Sequence, residues 1–214
     1  MDGRAHGRLP WGLWAGVVLL ASAGAARADL VRGRVTADGQ GLVLEGGDQA
    51  LRLRADAATG RALTALAGRA VAVEGTVDDG RLEVVALVDP PRVVVQGVVR
   101  EGALVEGDRA WPLAGPARAL VPGDGARVAV DGVVAEGTLL VLAVEGWTQR
   151  TWTLITRRGM PVHVIHGRRA VWVVRARGDV LFVRRGSHEG WAPKDQITLG
   201  EPDSSGIIEG LPPG

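Results

Sequence analysis

Apolar residues recur at every second position in two stretches of the chain, residues 70–86 and 127–143. A period of two is typical of β-strands that bury one face and expose the other. Asp79-Gly80 and Glu136-Gly137 interrupt the two stretches at corresponding positions, and such pairs favour two-residue hairpin turns. The pattern therefore predicts two antiparallel hairpins, one in each stretch.

The two hairpins belong to a longer internal repeat. Residues 68–75 recur as residues 125–132, and the match continues more loosely upstream, where Gly33 corresponds to Gly97. In each copy, short apolar strands precede a helix-competent stretch, and the hairpin follows. In the first copy, the predicted strands are Val31–Val35, Leu42–Leu44 and Ala50–Leu53. The helix-competent stretches of the two copies are Gly60–Leu66 and Pro116–Val121.

Five strands with a helix between the third and the fourth resemble the compact bacterial OB-fold modules, whose partly open barrels have five strands. The resemblance implies one OB-like barrel at residues 29–90 and a second at residues 91–147. Two β-meanders that do not close into barrels are the alternative interpretation. Barrels of about 50–60 residues have thin cores, so we expect them to pack against each other.

Residues 148–200 predict a third small β-barrel. Its predicted strands are Val162–Val164, Ala170–Val174 and Val180–Val183. Leu154, Arg157 and Gly159 match the opening motif of the bacterial SH3-like (SH3b) domain, which this segment resembles. The closing Gly190–Pro193 element matches the Gly-Trp element of the same family. The fold class that we expect is all-β, with tandem small OB-like β-barrels followed by an SH3-like β-barrel.

The N-terminus carries the pattern of a secretory signal peptide. Arg4 and Arg8 precede an apolar run, and Ala26-Arg27-Ala28 forms an Ala-x-Ala cleavage pattern. We therefore expect residues 1–28 to be removed and the mature protein to be periplasmic or secreted, with an uncleaved anchor as the alternative. No later segment is long enough to span a bilayer. Residues 201–214 are predicted to be a disordered tail, in which Ile207-Ile208 is a candidate short strand.

Charge is divided unevenly along the chain. Residues 29–147 contain 12 Arg against 17 Asp and Glu, a net charge of −5. Residues 148–200 contain nine Arg and one Lys against three acidic residues, a net charge of +7. A basic face of this kind is either simply solvated or binds anionic ligands such as wall carboxylates, teichoic-type polymer or lipid headgroups. A third interpretation is that the basic third barrel docks on the two acidic barrels of its own chain.

The two acidic barrels, residues 29–147, are not expected to bind nucleic acid. Single-strand binding requires a positive groove and aromatic platforms for the bases. Residues 30–88 have no aromatic residue and residues 93–145 have only Trp111, for which we expect a position in the core, with a saccharide contact as the alternative.

Four residues of the third barrel are the candidate ligand-binding residues: Trp172, Arg175, Arg177 and Trp191. Arg175 and Arg177 are two apart in a predicted strand, so both side chains lie on the same side. Trp172 alternates with two valines and becomes an exposed platform if the valines occupy the core. Trp191 either closes the barrel core or contributes to the ligand surface.

No catalytic, metal or cofactor site is expected. His163 and His166 project to opposite faces of a predicted strand, and the chain has no Cys to complete a metal site. His188-Glu189, in a predicted turn, has no nucleophile with it. The SH3b resemblance implies binding of peptidoglycan, peptides or partner proteins.

These observations favour a non-enzyme: an exported binding or adaptor protein of the cell envelope, whose SH3-like module contacts cell-wall polymer or an envelope protein. One alternative is a structural subunit of an envelope protein complex with no small ligand. Another is an accessory module of a cell-wall hydrolase system.

Overall fold

The computed structural model describes residues 28–46 and 49–200. The predicted signal peptide, apart from Ala28, and the predicted tail at 201–214 lie outside the described residues. Most of the described chain is β-strand, which confirms the all-β class. Within these residues, no helix has the length and the hydropathy needed to cross a bilayer.

The first unit, residues 29–89, is a closed five-stranded barrel. Its elements are β1 (Asp29–Asp38), β2 (Gly41–Gly46), β3 (Gln49–Arg54), α1 (Ala57–Ala65), β4 (Ala70–Asp78) and β5 (Arg81–Asp89). The strands pair in the order β1-β2-β3-β5-β4, and β4 returns to β1. Only the β3–β5 pairing is parallel, which is where the chain crosses over through α1.

Helix α1 begins at a well-formed cap. The carboxylate of Asp56 accepts hydrogen bonds from the backbone N–H groups of Ala58 and Thr59. The bond from the Thr59 N–H is the main reason that the pKa of Asp56 is below its ordinary value. Ala62 and Leu63 then bury one side of the helix in the core of the first unit.

The second unit, residues 92–148, repeats this pairing. Its strands are β6 (Arg92–Arg100), β7 (Ala103–Glu106), β8 (Arg109–Ala114), β9 (Arg127–Ala135) and β10 (Thr138–Thr148). The ring runs β6-β7-β8-β10-β9 and back to β6, again with one parallel pairing, between β8 and β10. A 3₁₀ turn at Arg118–Leu120 stands where the first unit has α1. Trp111 lies in the core of this unit, as predicted.

The same close approaches of backbone occur in both units. A Cβ added to Gly75 or to Gly132 would meet the carbonyl oxygen of Glu83 or Leu140 on the neighbouring strand. Glycine is therefore required at these repeat positions, because no other residue lets the two strands approach so closely. The predicted hairpin turns at 79–80 and 136–137 are also confirmed, since all four residues have positive φ.

The third unit, residues 152–199, has six strands of its own. They are β11 (Trp152–Ile155), β12 (Pro161–Ile165), β13 (Ala170–Arg177), β14 (Val180–Arg185), β15 (His188–Pro193) and β16 (Ile197–Leu199). A 3₁₀ turn at Lys194–Gln196 precedes β16.

His188 and Glu189, predicted in a turn, instead begin β15. The actual turn contains only two residues, because Gly186 adopts a positive φ and lets Arg185 pair directly with His188.

Strand β10 joins the second unit to the third without a linker. The sequence predicts a domain boundary between residues 147 and 148, but β10 continues to Thr148 and so crosses it. Its residues 144–147 pair with β13, and its residues 146–148 pair with β16. The same strand therefore belongs to the ring of the second unit and to the sheet of the third.

The units pack against one another, as the small size of their cores predicts. Val133 and Ala135 of β9, with Leu140 and Leu142 of β10, belong to the hydrophobic core of the first unit. Helix α1 lies against β10 at this contact. Leu199 packs against the cores of both the second and the third unit.

A buried carboxylate connects the second and third units. Asp131 of β9 is 2% exposed, and two arginines bind it. Arg92 of β6 donates from Nε to Oδ1 at 2.6 Å and from Nη2 to Oδ2, and Arg184 of β14 donates from Nη2 to Oδ2 at 2.7 Å. Hydrogen bonding to Asp131 raises the pKa of Arg92 above its ordinary value. One carboxylate thus holds cations from two units, and we call these three residues the Asp131 cluster.

Two further ion pairs cross between units. Arg61 of α1 bonds to Glu189 of β15 at 2.7 Å, and Arg69 of the first unit lies 2.8 Å from Glu136 of the second. In the Arg184–Asp131 ion pair the third unit supplies the cation, as expected if a basic unit docks on two acidic units. In the Arg61–Glu189 ion pair the third unit supplies the anion instead. Individual partners, rather than net charge, therefore set the docking.

We predict that Asp131→Asn lowers the free energy of unfolding by about 2 kcal/mol, because it removes the buried negative charge that accepts charge-assisted hydrogen bonds from Arg92 and Arg184. Urea denaturation of the parent and the variant measures this loss. The matched control is Asp108→Asn, an exposed residue of the same unit, for which we expect a change within about 0.5 kcal/mol. Equal effects of the two substitutions would contradict this account of the Asp131 cluster.

Candidate ligand-binding face

Strands β13 and β15, with β14 between them, carry the predicted site residues on the side opposite to the core. Val171 and Val173 point into the core, so Trp172 between them points outward. A register shift between Val173 and Arg175 then keeps Arg175 on the outward side. The paired residues form three rows on this surface, which we call the outer face: Trp172 with Arg184 and Glu189, Arg175 with Phe182 and Trp191, and Arg177 with Val180 and Pro193.

All four predicted site residues lie on the outer face, but not at one point. Arg175, Arg177 and Trp191 occupy two adjacent rows, and both arginines are exposed. Trp172 lies one row away and is half-buried, so it is not the open platform that was one of the expectations. Its row neighbours Arg184 and Glu189 are engaged by the second and first units.

Trp191 does not close the core of the third unit. In β15 the side chain of Ala192 points into the core, so that of Trp191 points to the outer face. It is nevertheless only 7% exposed. The ring packs against Phe182, with centroids 5.1 Å apart and planes tilted by 59°. Trp191 is therefore buried, but against Phe182 and Arg175 on the outer face rather than within the core cluster of the third unit.

Arg175 covers this aromatic pair. Its guanidinium carbon lies 4.8 Å from the ring centroid of Phe182 and 5.2 Å from that of Trp191. A cation over aromatic faces is held by attraction to the ring quadrupoles. No carboxylate in residues 28–46 or 49–200 forms an ion pair with Arg175. Its hydrogen-bond donors are thus positioned and remain available to an anion.

A groove of about 330 Å³ opens beside Trp191. We call it the tryptophan groove, and its lining residues are Ile155, Thr156, Arg157, Arg177, Val180 and Trp191. The turn after β11 provides one wall, and the β13–β14 hairpin provides the other. Two exposed arginines therefore face an apolar floor across a shallow opening. An arrangement of this kind can bind a carboxylate or a phosphate through the arginines and an apolar group against the rings.

Sequence reasoning missed Phe182 as a site residue. The alternation within a single strand placed Arg175 and Arg177 correctly on one side. The contact of Arg175 with Phe182 depends on the register between β13 and β14, including its shift after Val173. No local pattern in the sequence shows such a shift.

A pair of histidines lies at the end of the same sheet. His163 of β12 stacks on His188 of β15, with centroids 4.2 Å apart and planes at 15°. Partial loss of solvent lowers the pKa of His163 first, and the nearby His188, Arg185 and His166 lower it further. Within the described part of the chain, no three His, Cys, Asp or Glu side chains are grouped so that they could hold a metal ion.

Comparison with models of protein families, with curated proteins and with solved structures finds no match for this chain.

The stacked histidines generate a prediction about pH. A lowered pKa means that the folded protein binds this proton less readily than the unfolded chain, so His163 reduces stability as the pH falls through about 6.5. We expect His188→Gln to raise the pKa of His163 part of the way toward 6.5, because one nearby positive charge is removed while the loss of solvent remains. An NMR pH titration of the His163 ring measures this. A smaller rise is expected for the control His166→Gln, and an unchanged pKa in His188→Gln would refute the stacking.

Proposed function

We propose that this protein is an exported, non-catalytic binding or adaptor protein of the cell envelope. In this proposal the third unit binds cell-wall polymer or an envelope protein in the tryptophan groove, and the two preceding units position it. The observation that carries the proposal is the groove itself. Arg157 and Arg177 flank an apolar floor that includes Trp191, on a part of the outer face that the other units leave uncovered.

The chemistry of the groove selects a class of ligand. Two guanidinium groups without intervening carboxylates favour an anion, and planar guanidinium forks suit carboxylate or phosphate oxygens. The aromatic and aliphatic floor favours a ligand that carries apolar groups next to its charge. Peptide-bearing wall polymer and the side chains of an acidic partner protein both meet this description.

The proposal contains no reaction step. Among the groove residues only Thr156 has a hydroxyl group, and that oxygen accepts hydrogen bonds from the backbone N–H groups of Arg158 and Met160. This hydroxyl group is therefore engaged in shaping its own turn. The side chains of the groove can therefore bind and orient a ligand.

The arrangement of strands supports the proposed domains. Five strands in the order of the first unit, with α1 before the fourth, fit an OB-like barrel at residues 29–90. The repeated pairing of the second unit fits a sister barrel at residues 91–147. The 3₁₀ turn followed by β16 fits the closing helical turn and last strand of an SH3-like domain at residues 148–200.

Export is the part of the proposal that depends on the N-terminus. The basic residues Arg4 and Arg8, the apolar run after them and the small residues of Ala26-Arg27-Ala28 support a secretory signal peptide. Release of the mature chain would place the groove in the compartment that contains the cell wall, periplasmic or extracellular.

A structural subunit of an envelope complex is the second candidate. Strand β12 pairs only with β11, so one of its edges is open among the described residues. Val162 and Val164 are exposed on this strand, and Met160 is exposed just before it. An open edge with apolar side chains can pair with a strand of another protein.

The proposal predicts that the mature chain, residues 29–214, co-sediments with isolated sacculi. The double variant Arg157→Gln, Arg177→Gln should bind at least about tenfold more weakly, since it removes two charge-assisted contacts. The control Arg168→Gln, Arg169→Gln changes the charge equally at two arginines that do not line the groove.

Equal binding of the two double variants would reject the tryptophan groove as the site. Absence of sacculus binding by the parent, together with a stable co-purifying protein that Val164→Lys releases, would favour the structural subunit instead.

A further inference from the structure

A second cavity lies where the three units meet, and it is separate from the tryptophan groove. We call it the junction cleft, and its volume is about 550 Å³. Its lining residues are Arg61 and Thr64 of α1, Pro116 and Leu142 of the second unit, and Val174, Arg175, Phe182 and Glu189 of the third. The volume lies in the range of about 300–1,000 Å³ that is usual for small-molecule sites.

We infer that the junction cleft is a binding site for a small apolar anion, a molecule with an aromatic or alkyl body and one carboxylate, sulfonate or phosphate group. The apolar body would contact Leu142, Val174 and Phe182. The anionic group would bind Arg175. This site is independent of the proposed binding of wall polymer or protein.

The charges of the cleft favour an anion over a cation. Two of the lining residues are arginines and one is a glutamate. Glu189 is already paired with Arg61 at 2.7 Å, and both side chains are mostly shielded from solvent, so its negative charge is compensated. Arg175 is left as the cation without an acidic partner among the described residues, and the local charge is positive.

Arg175 is also held in place before any ligand arrives. The guanidinium carbon lies 4.8 Å from the ring centroid of Phe182, and this cation–π contact holds the side chain over the ring. A side chain that is fixed in this way loses little conformational freedom on binding. An anion in the cleft would receive donors that already have the required position.

Because all three units line the cleft, a ligand bound in it would also affect how the units dock against one another. Leu142 is buried at the contact between the first and second units, and the Arg61–Glu189 pair links the first unit to the third. A ligand that touches all three units binds only when they are docked. It therefore stabilises the docked arrangement by mass action.

The test uses 8-anilinonaphthalene-1-sulfonate, an aromatic anion whose fluorescence rises in apolar surroundings, with the purified mature chain. We expect binding at one site per chain and an increase in Tm. N-phenyl-1-naphthylamine, which has the same apolar body without the sulfonate, should bind at least about tenfold more weakly, as expected for loss of a charge-assisted contact.

Two variants separate the contributions of charge and shape. Arg175→Gln should weaken sulfonate binding about tenfold and leave the neutral probe unaffected. Thr64→Trp fills the cleft from an exposed helical position with a residue of similar helix propensity, and should abolish binding of both probes. Arg168→Gln is the charge-matched control outside the cleft, and circular dichroism verifies that each variant is folded.

The inference is overturned if the parent does not bind the sulfonate, if Arg175→Gln binds it as the parent does, or if the neutral probe binds equally well. Displacement of the sulfonate by decanoate or by benzoate then identifies the source of the natural ligand as an acyl chain or an aromatic acid. Failure of sacculus binding leaves these outcomes unaffected, because the tryptophan groove and the junction cleft share no lining residue.

Discussion

The buried carboxylate of Asp131 is the interaction on which the arrangement of this molecule depends. A carboxylate that is 2% exposed is costly to bury alone, and the arginines of β6 and β14 compensate it from two different units. The Arg92 pair lies within the second unit, whereas the Arg184 pair forms only when the third unit is seated on the second. Apolar contacts give the units an area to bury, whereas the geometry of this cluster selects one relative position.

The position of the third unit against the other two decides which part of the outer face remains accessible to a ligand. Arg184 and Glu189 are engaged by the other units, which closes the row that contains Trp172. The rows of Arg175 and Arg177 remain open and border the junction cleft and the tryptophan groove. The continuity of β10 has the same effect, because a strand that is common to two sheets leaves no flexible linker between them. Binding sites on a rigid scaffold hold their geometry better than sites on mobile loops.

Local sequence patterns predicted much of the fold and only part of the site. Alternating residues and the Asp79-Gly80 and Glu136-Gly137 pairs predicted the repeated hairpins, because both are properties of neighbouring positions. The shift between Val173 and Arg175 was not predictable in this way, and neither was the meeting of Asp131 with arginines far away in the chain. Both depend on which strands become neighbours. The outward position of Trp191 follows from alternation, but only once Ala192 is known to face the core.

The Asp131 cluster and the common strand β10 hold the second and third units together, and the apolar contact of β9 and β10 with the core of the first unit makes all three one rigid body. Measurement of ¹⁵N relaxation along the mature chain tests this rigidity most directly, because units that tumble separately have different rotational correlation times. The account predicts one correlation time for α1, for β6–β10 and for β13–β15, appropriate to the whole molecule. A shorter correlation time for the third unit alone would show that it moves independently and would contradict the account.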